Sequence, residues 1–190
     1  MMRAAMLVAA ALAAGCGAIS TREADRYFLL EAAAPAPAAA AAARREVRAL
    51  PTTAASFYDT QSIAFSREAG TRAYYQFNHW TERPQRAIHA QLAARFPADD
   101  GKARLLLETH LEEIYHDAAT PPGTARLSLT AALVERSTRA TIARRAFTRS
   151  VPAQTHDAPG AARALNEALG ALLAELEGWV EGLAAAAPQR

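Results

Sequence analysis

The clearest patterning lies in the second half of the chain. Ala125, Leu127, Leu129, Ala131 and Leu133 alternate with Arg126, Ser128, Thr130 and Ala132, the period of a half-buried strand. Before it, Leu105, Leu107, Thr109 and Leu111 alternate with Leu106, Glu108, His110 and Glu112. After it, residues 141–151 carry Ile142 and Phe147 as the large apolar side chains. The links are short, Thr120-Pro121-Pro122-Gly123 on one side and Ser137-Thr138 on the other, so the three strands are expected to be neighbours in an antiparallel meander. Leu165, Leu169, Leu172, Leu176, Trp179 and Leu183 then step by three and four, the stripe of a long amphipathic helix with Asp157 as its cap. The face of Leu127, Leu129 and Leu133 needs a cover, so the stripe is expected on the sheet. A coiled-coil seam is the alternative.

The first half is less regular. Residues 26–30 read as a first strand and 45–50 as a second, ended by Pro51. Residues 61–66 and 72–77 flank Glu68-Ala69-Gly70-Thr71 and suggest a hairpin. Thr81 is a candidate cap for a helix with Pro84 in its first turn and Ile88, Leu92 and Phe96 on its apolar face. Gln85, Arg86, Gln91 and Arg95 lie elsewhere on that wheel, and Pro97 ends it. Residues 32–43 are alanine-rich, broken by Pro35 and Pro37, and read as an exposed loop within the domain.

The N-terminus carries a different signal. Arg3 precedes an apolar run to Ala14, and Gly15 then leads to Cys16, the only cysteine of the chain. A charged start, a short apolar run and small residues before a cysteine resemble a bacterial lipoprotein signal. The run is shorter than the roughly 20 apolar residues of a membrane-spanning helix. The resemblance makes residues 1–15 a cleaved signal, Cys16 the site of lipid attachment, and 16–25 a tether. Ala13 stands where such signals usually carry leucine, with Leu12 one place earlier. Gly17 follows the cysteine, so the aspartate that retains lipoproteins at the inner membrane is absent, and the expected destination is the outer membrane. An ordinary secretory signal with a chance cysteine is the alternative.

Charge adds little. The chain has 21 Lys+Arg against 19 Asp+Glu. Losing Arg3 with the signal leaves near neutrality, with Lys102 the sole lysine. That balance is no footprint for nucleic acid. The pattern contains no nucleophile elbow, phosphate loop or dinucleotide fingerprint, so no catalytic residue and no cofactor are expected. Glu108, His110 and Glu112 share one strand face and are in principle a metal set, though a solvated face is the plainer reading, and no metal is expected. Glu112 and Glu113, as strand neighbours, should point to opposite faces. Tyr74, Tyr75, Phe77 and Trp80 are candidates for stacking on a ligand, yet alternation puts Tyr75 and Phe77 on one face, where core packing is expected. Gly178 and Gly182 have a four-residue spacing, but Glu181 between them argues against a membrane helix.

Tyr27-Phe28-Leu29-Leu30, then Ile63-Ala64-Phe65-Ser66-Arg67, then Tyr74-Tyr75, Trp80 and Pro84 come in an order that resembles the ABC-type transport auxiliary lipoproteins, the PqiC-like group. Ala143-Arg144-Arg145-Ala146-Phe147 resembles the family's last strand, and the helix ends near Trp179. The resemblance implies a single α+β domain, a largely antiparallel sheet covered by two helices, over residues 26–183 with 184–190 as a tail. Tyr75, Trp80 and Pro84 are its motif positions, read as structural. It further implies a non-catalytic accessory component, lipid-anchored on the periplasmic face of the outer membrane. Its partners would be an MCE-domain protein and the ABC permease and ATPase of a lipid transport system, with room for association of several copies. An LptE-like factor assisting assembly of an outer-membrane β-barrel is the rival reading.

Overall fold

A computed structural model describes residues 23–32, 44–99, 101 and 103–186. Residues 1–15, expected to be a signal, Cys16 and nearly all of the alanine-proline segment lie outside these residues. Among the described residues, eight strands and two α-helices follow in the order β1 (Arg26–Phe28), β2 (Val47–Ala49), β3 (Thr53–Ala54), a 3-10 turn (Ser56–Tyr58), β4 (Ser62–Ser66), β5 (Ala73–Trp80), α1 (Pro84–Arg95), β6 (Leu105–Asp117), β7 (Thr124–Glu135), β8 (Thr141–Pro152) and α2 (Ala158–Ala186). The class is α+β, one mixed, mostly antiparallel sheet under two helices.

The meander is the spine. β6 pairs antiparallel with β7, and β7 with β8. β8 is one edge of the sheet, and the path runs β1-β5-β4-β6-β7-β8. The other edge of β6 offers 13 residues of donors and acceptors that must find partners. Three short strands fill it end to end, all parallel to it: β2 beside Leu105–Leu107, β3 beside His110–Leu111, and β4 beside His116–Asp117. Backbone bonds outside the strands complete the edge, from Leu50 N to Leu107 O at 2.9 Å and from Ala118 N to Ser66 O at 2.7 Å. Pro51 breaks the run because it has no N–H to donate. The expected β4–β5 hairpin forms, with Gly70 at φ 77° in its turn, a conformation that favours glycine.

α2 lies on the sheet. Leu165, Leu169, Leu172 and Leu176 of its stripe are fully buried, joined by Leu173 and Val180. Trp179 and Leu183 are half-buried, and Trp179 meets Phe147 of β8 edge-to-face at 5.6 Å. The helix runs on to Ala186, into residues read as tail. Asp157 caps it, accepting from Gly160 N at 2.8 Å. Glu175 accepts from both Arg145 and Arg149 of β8, pinning the helix to the edge strand. No helix among the described residues is long and apolar enough to cross a membrane.

Two expectations fail. Thr81 does not cap α1, whose cap position is Arg83 with no side-chain cap bond. The helix starts instead on Pro84, preset at its first position, and Asp59 takes hydrogen bonds from Arg83 and Gln85 there. Glu112 and Glu113 do not sit on opposite faces. A bulge between Leu111 and Glu113 shifts the register, so Leu111 and Ile114 both point inward and both carboxylates stay 45% exposed. Before the bulge the odd residues of β6 are buried, and after it the even ones.

Candidate functional site

β1 is the first element among the described residues, so the way it is held decides how anything attached ahead of it would act on the fold. β1 pairs parallel with the end of β5, Arg26 beside Asn78, Tyr27 beside His79 and Phe28 beside Trp80. Thr81 N then donates to Phe28 O at 2.9 Å. Beyond β1 the next four residues run as an extended strap between the two helices, stitched from both sides. The carboxamide of Asn166, on α2, donates to Leu29 O (3.2 Å) and accepts from Glu31 N (3.1 Å). The carboxamide of Gln91, on α1, donates to Leu30 O (3.0 Å) and accepts from Ala32 N (2.7 Å). Each carboxamide offers one donor and one acceptor and so imitates a neighbouring strand. The Leu30 side chain drops into the core.

Trp80, paired with Phe28, and Pro84, which opens α1, lie by this strap, while Tyr75 lies further back on β5. Trp80 is 1% exposed under it, and its backbone N–H donates to Gln61 O at 2.6 Å. Pro84 is buried at the first position of α1. Tyr75 is half-buried against Phe65, ring centroids 4.7 Å apart, and its hydroxyl lies 2.7 Å from Nδ1 of His116. Tyr75 thus packs on the core, Tyr74 is more open and stacks on Phe57 at 4.5 Å, and Phe77 is half-buried beside Glu23, Ala24 and Asp25. The aromatics do not converge on one cavity.

His116 is the group that sequence patterning missed. It is fully buried, with Nε2 3.2 Å from Pro122 O. A carbonyl only accepts, so Nε2 carries the proton and Nδ1 accepts from the Tyr75 hydroxyl. Burial pushes the imidazole below its usual range, partly opposed by its bond to Pro122, and burial pushes the Tyr75 phenol up to about 12. The unfolded histidine titrates near 6.5 and the folded one lower, so the unfolded state binds more protons between those values. Stability is therefore expected to fall as pH drops through about 6.5, and the slope should shrink in His116→Gln. Glu177, whose carboxyl burial raises, acts with the opposite sign. Urea titrations at stepped pH read this. Equal slopes in both proteins would remove His116 as the cause.

Gly123 closes over the same imidazole. Its φ is 93°, and a Cβ placed there would lie 2.0 Å from Nε2 of His116 and 2.9 Å from Asp117 O. Gly123→Ala is expected to destabilise by about 2 kcal/mol or more, from the strained backbone and the displaced ring together. A thermal melt unchanged from wild type would contradict that geometry.

A second buried polar group ties the helices. Arg95, on α1, is 7% exposed rather than on an outer face, and so is Glu177 on α2. Nε of Arg95 and Nη1 of Arg44 both lie 3.4 Å from Oε1 of Glu177, and Arg44 also meets Glu181. Burial pushes the Arg95 guanidinium down and the Glu177 carboxyl up, so desolvation weighs on both. Gln85 is buried too. Arg95 is covered where it meets Glu177 of α2, and Gln85 where it donates to Asp59.

The remaining candidates lie on the sheet face away from the helices. Glu108, His110 and Glu112 border a shallow depression of about 330 Å³ with Thr53, Thr130 and Arg144. Nδ1 of His110 lies 2.7 Å from Thr53 Oγ1, and Glu112 accepts from Thr130 at 2.9 Å. No group of three potential metal ligands converges among the described residues.

This architecture defines a class of small α+β domains in which two helices and an N-terminal strap cover one face of a mixed sheet. The family model for the ABC-type transport auxiliary lipoprotein component matches residues 27–177, and the chain belongs to that family. A Xanthomonas campestris protein of the DUF330 family has a crystal structure similar to this one, with TM-score 0.74, 21% identity, and coverage of 85% of this chain and 98% of that one. A crystal structure of an uncharacterized protein gives TM-score 0.66 at 11% identity, covering 83% of this chain and 99% of that one. At such identities the likeness shows the fold. A PelC dodecamer from Paraburkholderia phytofirmans, at 15% identity and covering 68% of this chain and 87% of its own, has a TM-score of only 0.39 and carries no argument about assembly here. Among curated proteins the sequence has no match.

Proposed function

We propose that this protein is a non-catalytic accessory lipoprotein of an ABC transporter whose partner carries an MCE domain, and that it serves lipid traffic across the envelope. In this reading Cys16 is acylated, the domain stands on the periplasmic face of the outer membrane, and it docks the elongated partner that reaches from the inner membrane. The observation that carries the reading is the family match over residues 27–177, joined to a cysteine placed directly after a signal-like run. The strap adds a physical reason. From Cys16 to Arg26 the tether spans at most about 34 Å of extended chain. β1 then enters the core at Trp80 and between the helices, so an anchor would hold the whole domain close to its membrane.

In-cell photocrosslinking from the open sheet face, at Thr130 and Thr148, tests the dock. Capture of the MCE-domain protein is the expected result. Repeated capture of a β-barrel alone, with the MCE-domain protein present and never crosslinked, would replace this reading with that of an assembly factor.

A further inference from the structure

We propose that Tyr27 and Leu29 form a patch that rests in the headgroup–acyl boundary of the membrane to which the chain is tethered. This deepens the reading above and relies on its claim that the N-terminal end is held at a bilayer. The two are the most exposed large apolar side chains among the described residues, 60% for Tyr27 and 56% for Leu29. A single exposed apolar residue needs no explanation. These two are separated by one residue along an extended chain, so they point the same way, about 7 Å apart.

Their exposure is imposed by the backbone. Phe28 and Leu30 face the core, and alternation then turns Tyr27 and Leu29 out. Phe28 O is engaged by Thr81 N, Leu29 O by Asn166, and Glu31 N by Asn166 again. Neither side chain can turn inward without undoing these bonds. The patch is therefore rigid and presented, unlike a loose apolar tail.

Position selects the occupant. Tyr27 follows Cys16 by 11 residues, at most about 37 Å of chain, so a bilayer holding position 16 lies within reach of the patch. The chemistry also suits an interface. Tyrosine carries an apolar ring and a polar tip, the form enriched at membrane boundaries. The Tyr27 ring leans on His79, centroids 5.4 Å apart. Nearby, Glu23 and Arg26 neutralise one another at 3.7 Å, and Asp25 lies 3.5 Å from His79, which carries charge only when protonated. A rim of this kind, without a cationic cluster, suits a mostly zwitterionic surface. Tethering supplies a high effective concentration, so a patch too small to bind alone can still set the orientation of the domain.

The test uses the chain from position 16 onward with Cys16→Ser and a polyhistidine tag in front. Vesicles of phosphatidylethanolamine and phosphatidylglycerol, doped with a nickel-chelating lipid, hold the tag where the acyl group would be. The result then does not depend on whether Cys16 is acylated in the cell, which palmitate labelling decides separately. Leu29→Cys becomes the only thiol and takes an environment-sensitive fluorophore. Ile142→Cys on β8, the opposite edge of the sheet, is the control. The expected result is a blue shift at position 29 on vesicles and quenching by lipid-borne nitroxides several-fold stronger than at position 142. Adding Tyr27→Asp should remove the shift at 29 while the thermal melt stays that of the labelled parent. A label at 29 that stays as water-exposed as the one at 142, on vesicles that retain the protein, would overturn the patch and leave a protein as its occupant.

Discussion

Leu176→Asp is expected to abolish the folded state, and Leu172→Asp likewise. Both leucines are fully buried on the face of α2 that covers the meander. A carboxylate there loses its water and gains no partner, since the cations near α2 are already engaged. Arg44 and Arg95 meet Glu177, and Arg145 and Arg149 meet Glu175. The unpaired charge costs far more than a domain of this size has in reserve. Leu176→Ala removes the contacts without the charge and should cost about 2–5 kcal/mol. Ala174→Asp, on the exposed face two residues away, should stay within about 0.5 kcal/mol of wild type. Circular dichroism melts of the four variants separate burial from helix propensity. A Leu176→Asp chain that melts with wild type would mean that α2 faces solvent or a partner, and the coiled-coil alternative would return.

Cys16→Ala is expected to remove the lipid anchor. One acyl chain gives marginal, reversible binding, and each buried CH₂ of a further chain adds about 0.8 kcal/mol, so multiple acylation makes the anchor effectively permanent. Nothing in α1 or α2 replaces it, because neither can cross a bilayer. The variant should lose palmitate label and stay soluble after export or remain unprocessed. Label-free, soluble wild-type protein would sink the assignment of Cys16. The patch of Tyr27 and Leu29 predicts a further distinction: it orients an anchored domain but is too small to retain an unanchored one.

The elements with a strong local period were legible without coordinates. β7 alternates along its whole length, the α2 stripe holds its 3.6-residue step from Leu165 to Leu176, and a glycine turn marks the β4–β5 hairpin. Each is set by residues close in sequence, whose side chains must share a face whatever else the chain does. The ordered motifs also pointed to the family, with Trp80 and Pro84 at the junction of β5 and α1.

Other features were invisible because their causes lie far apart in the chain. Three short strands line up on one edge of β6 only because that edge has 13 residues to satisfy, and no single strand says which partner it will meet. The bulge after Leu111 inverts the face of β6, so a correct period before it gave a wrong prediction for Glu112 and Glu113 after it. Asn166 and Gln91 are polar helix positions with no local signal for the strap, which they hold from 137 and 59 residues away. Arg95 lies off the apolar stripe of α1 in sequence, yet it is buried where the fold brings it against Glu177 of α2 beside Arg44. The sequence by itself thus determined the long strands, the two helices, the apolar faces of β7 and α2 and the family, since those follow from local spacing. Only the tertiary structure decided register, strand partners and which polar side chains go inside, because a hydrogen bond or an ion pair depends on what the rest of the chain brings alongside.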